Sequence, residues 1–231
     1  PVHVTGSQSQ WRYRLLWLRH FRGGASAEQA SGPPKRKGDD QKPASAKGAY
    51  DRLVTGNERF SSRSPALVST AELGDMFRRN EAGQQPYATI LTCADARLSP
   101  AMLFDELLGE LFVVREAGNI AVSPTSLGSL EYAHVVLETP LLVVLGHRDC
   151  AAVDAAFKNS EVPGNIQALV DAIKPGIAGA GELDEAVEQN VRAVIESVRE
   201  NSAALSNAEI VGAVYDIGTG KVRFLDPPGS G

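Results

Sequence analysis

Two short runs hold the residues best suited to chemistry. Cys93-Ala94-Asp95-Ala96-Arg97 contains one of the chain's two cysteines, and His147-Arg148-Asp149-Cys150 contains the other. Two sulfurs and one imidazole make the donor set of a three-ligand metal site, in which the fourth tetrahedral position is left for water. Open sites of that kind are catalytic, whereas closed four-ligand sites are structural. Thiolates select zinc over magnesium or calcium, with iron and cobalt the other ions such donors accept. A free cysteine also serves as a small buried hydrophobe, but that use does not explain why both stand beside His, Asp or Arg. The other histidines do not extend the set: His3 and His20 lie near the start, and His134 falls on an apolar helix where packing accounts for it. Asp95 and Arg97 are two residues apart, so in an extended segment they point the same way and pair. The arginine then holds the carboxylate ionised and correctly turned, able to accept a proton from a metal-activated water.

Both runs must be carried to one place, and the flanking pattern says how. Three short apolar runs, Ala88 to Thr92, Leu111 to Val114 and Leu141 to Leu145, read as strands buried on both faces. Helical stretches at Pro100 to Leu108 and Thr125 to Glu138 separate them, the second opened by Ser123-Pro124. Helices are also predicted at Ala49 to Phe60, Thr70 to Glu81 and Asp184 to Glu200. A fourth strand, Ile210 to Tyr215, pairs with Lys221 to Leu225 across Gly218-Thr219-Gly220. The fold class is therefore α/β, a mostly parallel sheet of four to five strands flanked by helices. Ligand sites in such sheets form beyond the carboxyl ends of the strands, where both cysteine runs fall.

The 231 residues are 43% hydrophobic and 22% charged, ordinary globular composition with room for one sizeable core. Net charge is −5, which gives no basic excess for nucleic acid. It is unevenly spread: residues 1–48 hold nine bases against three acids, the remainder 14 against 25. Residues 1–45 read as a basic, largely disordered tail, with a Gly, Ser, Pro and Lys-rich linker from Gly23 to Gly48. Ahead of the linker, the arginines and aromatics from Trp11 to Arg22 suit a short sticky helix or a membrane tether. Residues 46–231 form the catalytic domain. Apolar runs such as Pro140 to Gly146 fall far short of the ~20 residues a membrane helix needs. Two cysteines are too few for a disulfide scaffold, which favours a reduced compartment such as the cytoplasm.

Other motifs fail on inspection. His147-Arg148-Asp149 lacks the asparagine and glycine-rich loop of a kinase, and Gly218-Thr219-Gly220-Lys221 lacks the first glycine and the Ser/Thr of a phosphate loop. Taken together, Cys93-x-Asp95-x-Arg97 and His147-x-x-Cys150 resemble the signature of the β-class carbonic anhydrases. The resemblance runs from about Ala46 to Leu225. It is supported by Gly56-Asn57-Glu58-Arg59-Phe60, Phe104-Asp105, Leu111 to Arg115, Ala117-Gly118-Asn119, Glu131-Tyr132-Ala133 and Gly212 to Asp216.

The resemblance implies reversible, zinc-dependent hydration of CO2 to bicarbonate, with Cys93, His147 and Cys150 on the metal and Asp95 and Arg97 as a dyad. It implies a substrate pocket formed by Gln84, Phe112, Ala117 and Tyr132, the tyrosine coming from a neighbouring subunit, and hence a homodimer or larger even assembly. Alternatives within the same fold are a CS2 or COS hydrolase, or a weakly active zinc module attached to a bicarbonate or anion transporter. Four positions depart from the pattern. Ala151 stands where a glycine usually follows the second cysteine, which would strain the loop if a positive φ is needed there. Arg148 and Asp149 replace small polar residues, and Ile90 replaces the tryptophan of the bicarbonate-gated branch.

Overall fold

The computed structural model describes residues 42–66 and 70–228. The basic segment, its linker and the Trp11 to Arg22 run lie outside the described residues, apart from the linker's last few. Five strands form one sheet: β1 (Ala88–Thr92), β2 (Leu111–Arg115), β3 (Leu142–His147), β4 (Ile210–Asp216) and β5 (Lys221–Phe224), in the order β2-β1-β3-β4-β5. The first four are mutually parallel, and β5 turns back antiparallel on β4. Every residue of β1 and β3 is buried, because each has a strand on both sides and packed elements above and below. β2 departs from the expectation of two buried faces. It is an edge strand, half-exposed along its length, with Val113 open to solvent.

Seven helices flank the sheet among the described residues: α1 (Ala46–Ser61), α2 (Thr70–Glu81), α3 (Pro100–Leu103), α4 (Pro124–Glu131), α5 (Ala151–Phe157), α6 (Ile166–Ile173) and α7 (Leu183–Asn201). Ser45 caps α1 by accepting from the Gly48 amide, and Ser123 caps α4 by accepting from Ser126. α3 stops at Leu103, well short of the predicted Leu108. Asp105 adopts a left-handed backbone (φ 51°), and its carboxylate is held by Arg59 of α1 at 2.5 Å and by the Ala66 amide. α4 runs directly into a π-helical turn over Tyr132–Val136, where the Leu137 amide donates five residues back to the Tyr132 carbonyl. α7 buries Val187, Val191, Val194 and Val198 against β3 and β4. Among the described residues no helix is long and apolar enough to cross a membrane.

The chain leaves β1 in one direction to form β2 and leaves β3 in the other to form β4. The carboxyl ends of the adjacent β1 and β3 therefore mark the topological switch point, where an open parallel sheet has its crevice.

Candidate metal centre

Cys93 is the first residue after β1, and His147 is the last residue of β3, so register alone brings them to that crevice. Cys150 arrives by a two-residue turn whose second member, Asp149, sits in the left-handed region (φ 54°), which aspartate tolerates better than most residues. The two Sγ atoms lie 4.0 Å apart, and the three potential ligand atoms all fall within 4.8 Å of one another. All three residues are buried, and both cysteines are free thiols.

The surroundings tune each donor. His147 Nδ1 donates to the Arg148 carbonyl at 2.8 Å, which fixes the tautomer with a lone pair on Nε2. That Nε2 is buried without a hydrogen-bond partner among the described residues, a costly state for a polar atom unless something else takes it up. The Gly118 amide donates to Cys93 Sγ at 3.3 Å. Gly118 must be glycine, since it has φ 74° and a Cβ there would lie 2.6 Å from Ile173 Cδ1. Cys150 occupies the N-cap of α5, where the helix dipole favours a negative sulfur. The contact between the sulfurs pushes the Cys93 thiol down and the Cys150 thiol up, so in the metal-free pair one proton is readily lost and the other retained.

Beside the sulfurs, Asp95 Oδ1 accepts from the Arg97 amide and from Arg97 Nε, each at 2.9 Å, and Oδ2 accepts from Arg97 Nη2 at 2.7 Å. The Arg97 fork holds the Asp95 carboxyl well below the usual carboxylate range. Oδ2 also lies 3.9 Å from His147 Nε2, which puts the ionised carboxylate beside the three potential ligands. Arg97 Nη2 reaches on to the Asp149 carbonyl at 3.3 Å, tying the two sequence runs together.

Several supporting residues carry no spacing signal. Arg115, at the end of β2, donates to the Cys93 carbonyl at 3.3 Å and to the Asp95 carbonyl at 2.6 Å. Asn190, buried on α7, donates to the Gly118 carbonyl at 2.9 Å. A polar residue on the otherwise apolar stripe of α7 is the one clue its sequence offers. Ala151 opens α5 with ordinary helical backbone, so the feared strain at that position does not arise.

The four residues expected to line a substrate pocket are placed differently. Ala117 adjoins Gly118 at the cluster. Gln84 is exposed at the amino end of β1, with the whole strand, about 17 Å, between it and Cys93. Phe112 pairs in register with Thr89, about 13 Å back along the strand from Cys93, and its ring lies 6.0 Å from that of Tyr132 in the same chain. The structure thus groups Cys93, Asp95, Arg97, Ala117, His147 and Cys150, and sets Gln84, Phe112 and Tyr132 apart from them.

Residues 88–222 match the family profile for carbonic anhydrase. Carbonic anhydrase 2 of Mycobacterium tuberculosis (strain CDC 1551 / Oshkosh) is 34% identical over 197 residues, covering 79% of this chain and 94% of that protein. The carbonic anhydrase of Mycolicibacterium smegmatis is 36% identical over 193 residues, covering 76% and 91%. Among solved structures, the Coccomyxa β-carbonic anhydrase in complex with acetazolamide aligns with a TM-score of 0.58 at 26% identity, over 75% of this chain and 84% of that one. A tetrameric β-carbonic anhydrase of Sordaria macrospora shares the fold, with a TM-score of 0.61 at 19% identity over 77% and 96%. Profile, relatives and fold agree with the geometry of the crevice: the chain belongs to the β-class carbonic anhydrase family.

Proposed function

We propose that this enzyme hydrates CO2 reversibly to bicarbonate and a proton, using zinc held by Cys93, His147 and Cys150 with Asp95 and Arg97 as the catalytic pair. The observation that carries this reading is the convergence of two thiols and an unpartnered imidazole nitrogen beside a carboxylate kept ionised. The donors suit the ion. Tetrahedral zinc with bonds of about 2.3 Å to sulfur needs its two sulfurs about 3.8 Å apart, and the pair here stands at 4.0 Å. Zinc held by these three residues would supply Lewis acidity, making a water molecule nucleophilic near neutral pH.

The chain's own residues do the rest. Asp95 Oδ2 has one lone pair left after pairing with Arg97, and it accepts a hydrogen bond there from the attacking water, turning the water's oxygen toward the CO2 carbon. Arg97 keeps that carboxylate from taking the proton permanently, so the proton passes on to buffer. Arg115 and the Gly118 amide hold the Cys93 loop in place, which avoids reorganisation during the reaction.

Ala117 lines the pocket from within the chain. Gln84, Phe112 and Tyr132 are too far from their own cluster to share it, so we assign them to the pocket of a second chain in a homodimer or larger even assembly. The edge of β2, unpaired among the described residues, and the exposed Val113, Val122, Val135 and Val136 supply an apolar surface for that association. We take residues 46–231 as the catalytic unit, and its free thiols suit a reduced compartment such as the cytoplasm.

The test is metal content measured together with CO2 hydration, with CS2 and COS as comparison substrates. About one zinc per chain and rapid CO2 hydration are expected, with Cys150→Ser losing both. Cys150→Ser retaining a full complement of zinc would refute the ligand assignment.

A further inference from the structure

Arg148 stands between two of the proposed ligands, where the family pattern has a small polar residue, and its backbone touches the metal site directly. Its carbonyl accepts from His147 Nδ1 at 2.8 Å, and its amide donates to the Tyr215 carbonyl at 2.9 Å, extending the β3–β4 ladder by one step. Any shift of this residue therefore turns the imidazole. The next residue, Asp149, is in the left-handed region, so the link from His147 to Cys150 is a tight turn rather than continued strand. It is tethered from outside. Arg148 Nη2 meets Asp184 Oδ2 at 2.6 Å and Nε meets Oδ1 at 3.3 Å, a two-toothed fork onto the first turn of α7. Arg148 Nη1 lies 3.6 Å from Asp216 Oδ2 at the end of β4. Asp216 is itself fixed, because its Oδ1 accepts from the Gly218 amide at 2.8 Å and the Thr219 amide at 3.3 Å.

We propose that Arg148 is a positioning residue, whose ion pairs to Asp184 and Asp216 clamp the turn between His147 and Cys150 and slow the loss of the metal. This rests on the reading that those residues hold zinc. The clamp borders a cavity of about 370 Å³ whose walls also carry Lys221 and Arg223, and the Arg148 side chain is 50% exposed. Salt reaches it there, so its effect is screened as ionic strength rises.

The experiment measures zinc transfer from the zinc-loaded protein to a colorimetric chelator. Arg148→Ala, and Asp184→Asn combined with Asp216→Asn, should release zinc roughly three- to tenfold faster than wild type at low salt, with Arg148→Lys in between. Raising sodium chloride should speed release from wild type toward the variants' rate while leaving Arg148→Ala nearly unchanged. The cobalt-loaded Arg148→Ala should show shifted visible bands, a sign of altered ligand geometry that lower overall stability alone does not produce. Folded variants that release zinc at the wild-type rate, or a wild-type rate indifferent to salt, would overturn the clamp. A wild-type chain that takes up no stoichiometric zinc would remove the metal reading, and the clamp with it.

Discussion

Arg97 takes three of the lone-pair directions of the Asp95 carboxylate and leaves one, on the oxygen nearest His147. That single remaining acceptor is what Asp95→Asn changes, because an amide turned to keep Arg97 can no longer serve both partners. The variant should keep its zinc, and its kcat/KM for CO2 hydration should fall by about 10–100-fold; near-normal turnover would remove the pair from the mechanism. The same substitution has a consequence for stability. Asp95's pKa is lowered by Arg97, so the pair stabilises the fold above the unfolded carboxylate's pKa of about 3.9, and that contribution fades as pH falls through the lower folded value. The melting-temperature gap between wild type and Asp95→Asn should stay constant from about pH 8 to pH 5 and narrow below about pH 4. Residue types and spacing made the two cysteines, His147, Asp95 and Arg97 legible in the sequence, since their chemistry is rare elsewhere in the chain. Arg115 and Asn190 were not legible as site residues. They act through backbone carbonyls, and such bonds impose no spacing on the sequence.

Gly56 and Asn57 matter at the level of the elements. A helix-interior glycine normally costs about 1 kcal/mol relative to alanine, so local propensity favours Gly56→Ala. The packing opposes it, because a Cβ at Gly56 would lie 1.9 Å from the Phe104 carbonyl oxygen just past α3. Asn57 fastens the same face of α1, donating to the Leu103 and Gly220 carbonyls and accepting from the Val222 amide. Gly56→Ala should therefore lower stability by about 2–3 kcal/mol, read as a lower urea midpoint at unchanged slope; a stabilised variant would show that α1 yields easily. Strands and long helices were legible because their apolar period is clear, with α2 and β1 found at their predicted bounds. The end of α3 was not legible, since the left-handed Asp105 is set by a partner 46 residues away on α1. α5 has only seven residues, with two alanines before Asp154 and two after, so its apolar period is too short to read. α6 shows apolar residues at 166, 169, 170 and 173, a helical spacing that sequence reading could have used.

At the scale of the whole molecule, one chain holds the Cys93, His147 and Cys150 cluster and, well away from it, three residues that the family pattern puts in a substrate pocket. The amino end of the sheet carries Gln84, the outer strand carries Phe112, and the turn after α4 carries Tyr132. If each pocket joins the cluster of one chain to the Gln84, Phe112 and Tyr132 of another, a dimer has two mixed sites, and damage to either half can be separated. Cys150→Ser disables a chain's own cluster while leaving the residues it lends; Gln84→Ala does the reverse. Each variant alone should hydrate CO2 poorly. In a dimer of one with the other, both lesions fall in the same site and the second site is whole. Random pairing makes half the dimers mixed, so refolding the two variants together should restore about a quarter of wild-type activity. No recovery, despite a mixed dimer seen by mass spectrometry under native conditions, would place the whole pocket within one chain. Val113→Lys, which charges the exposed edge of β2, should shift the sedimenting species toward monomer, retain zinc and lose most of the hydration rate.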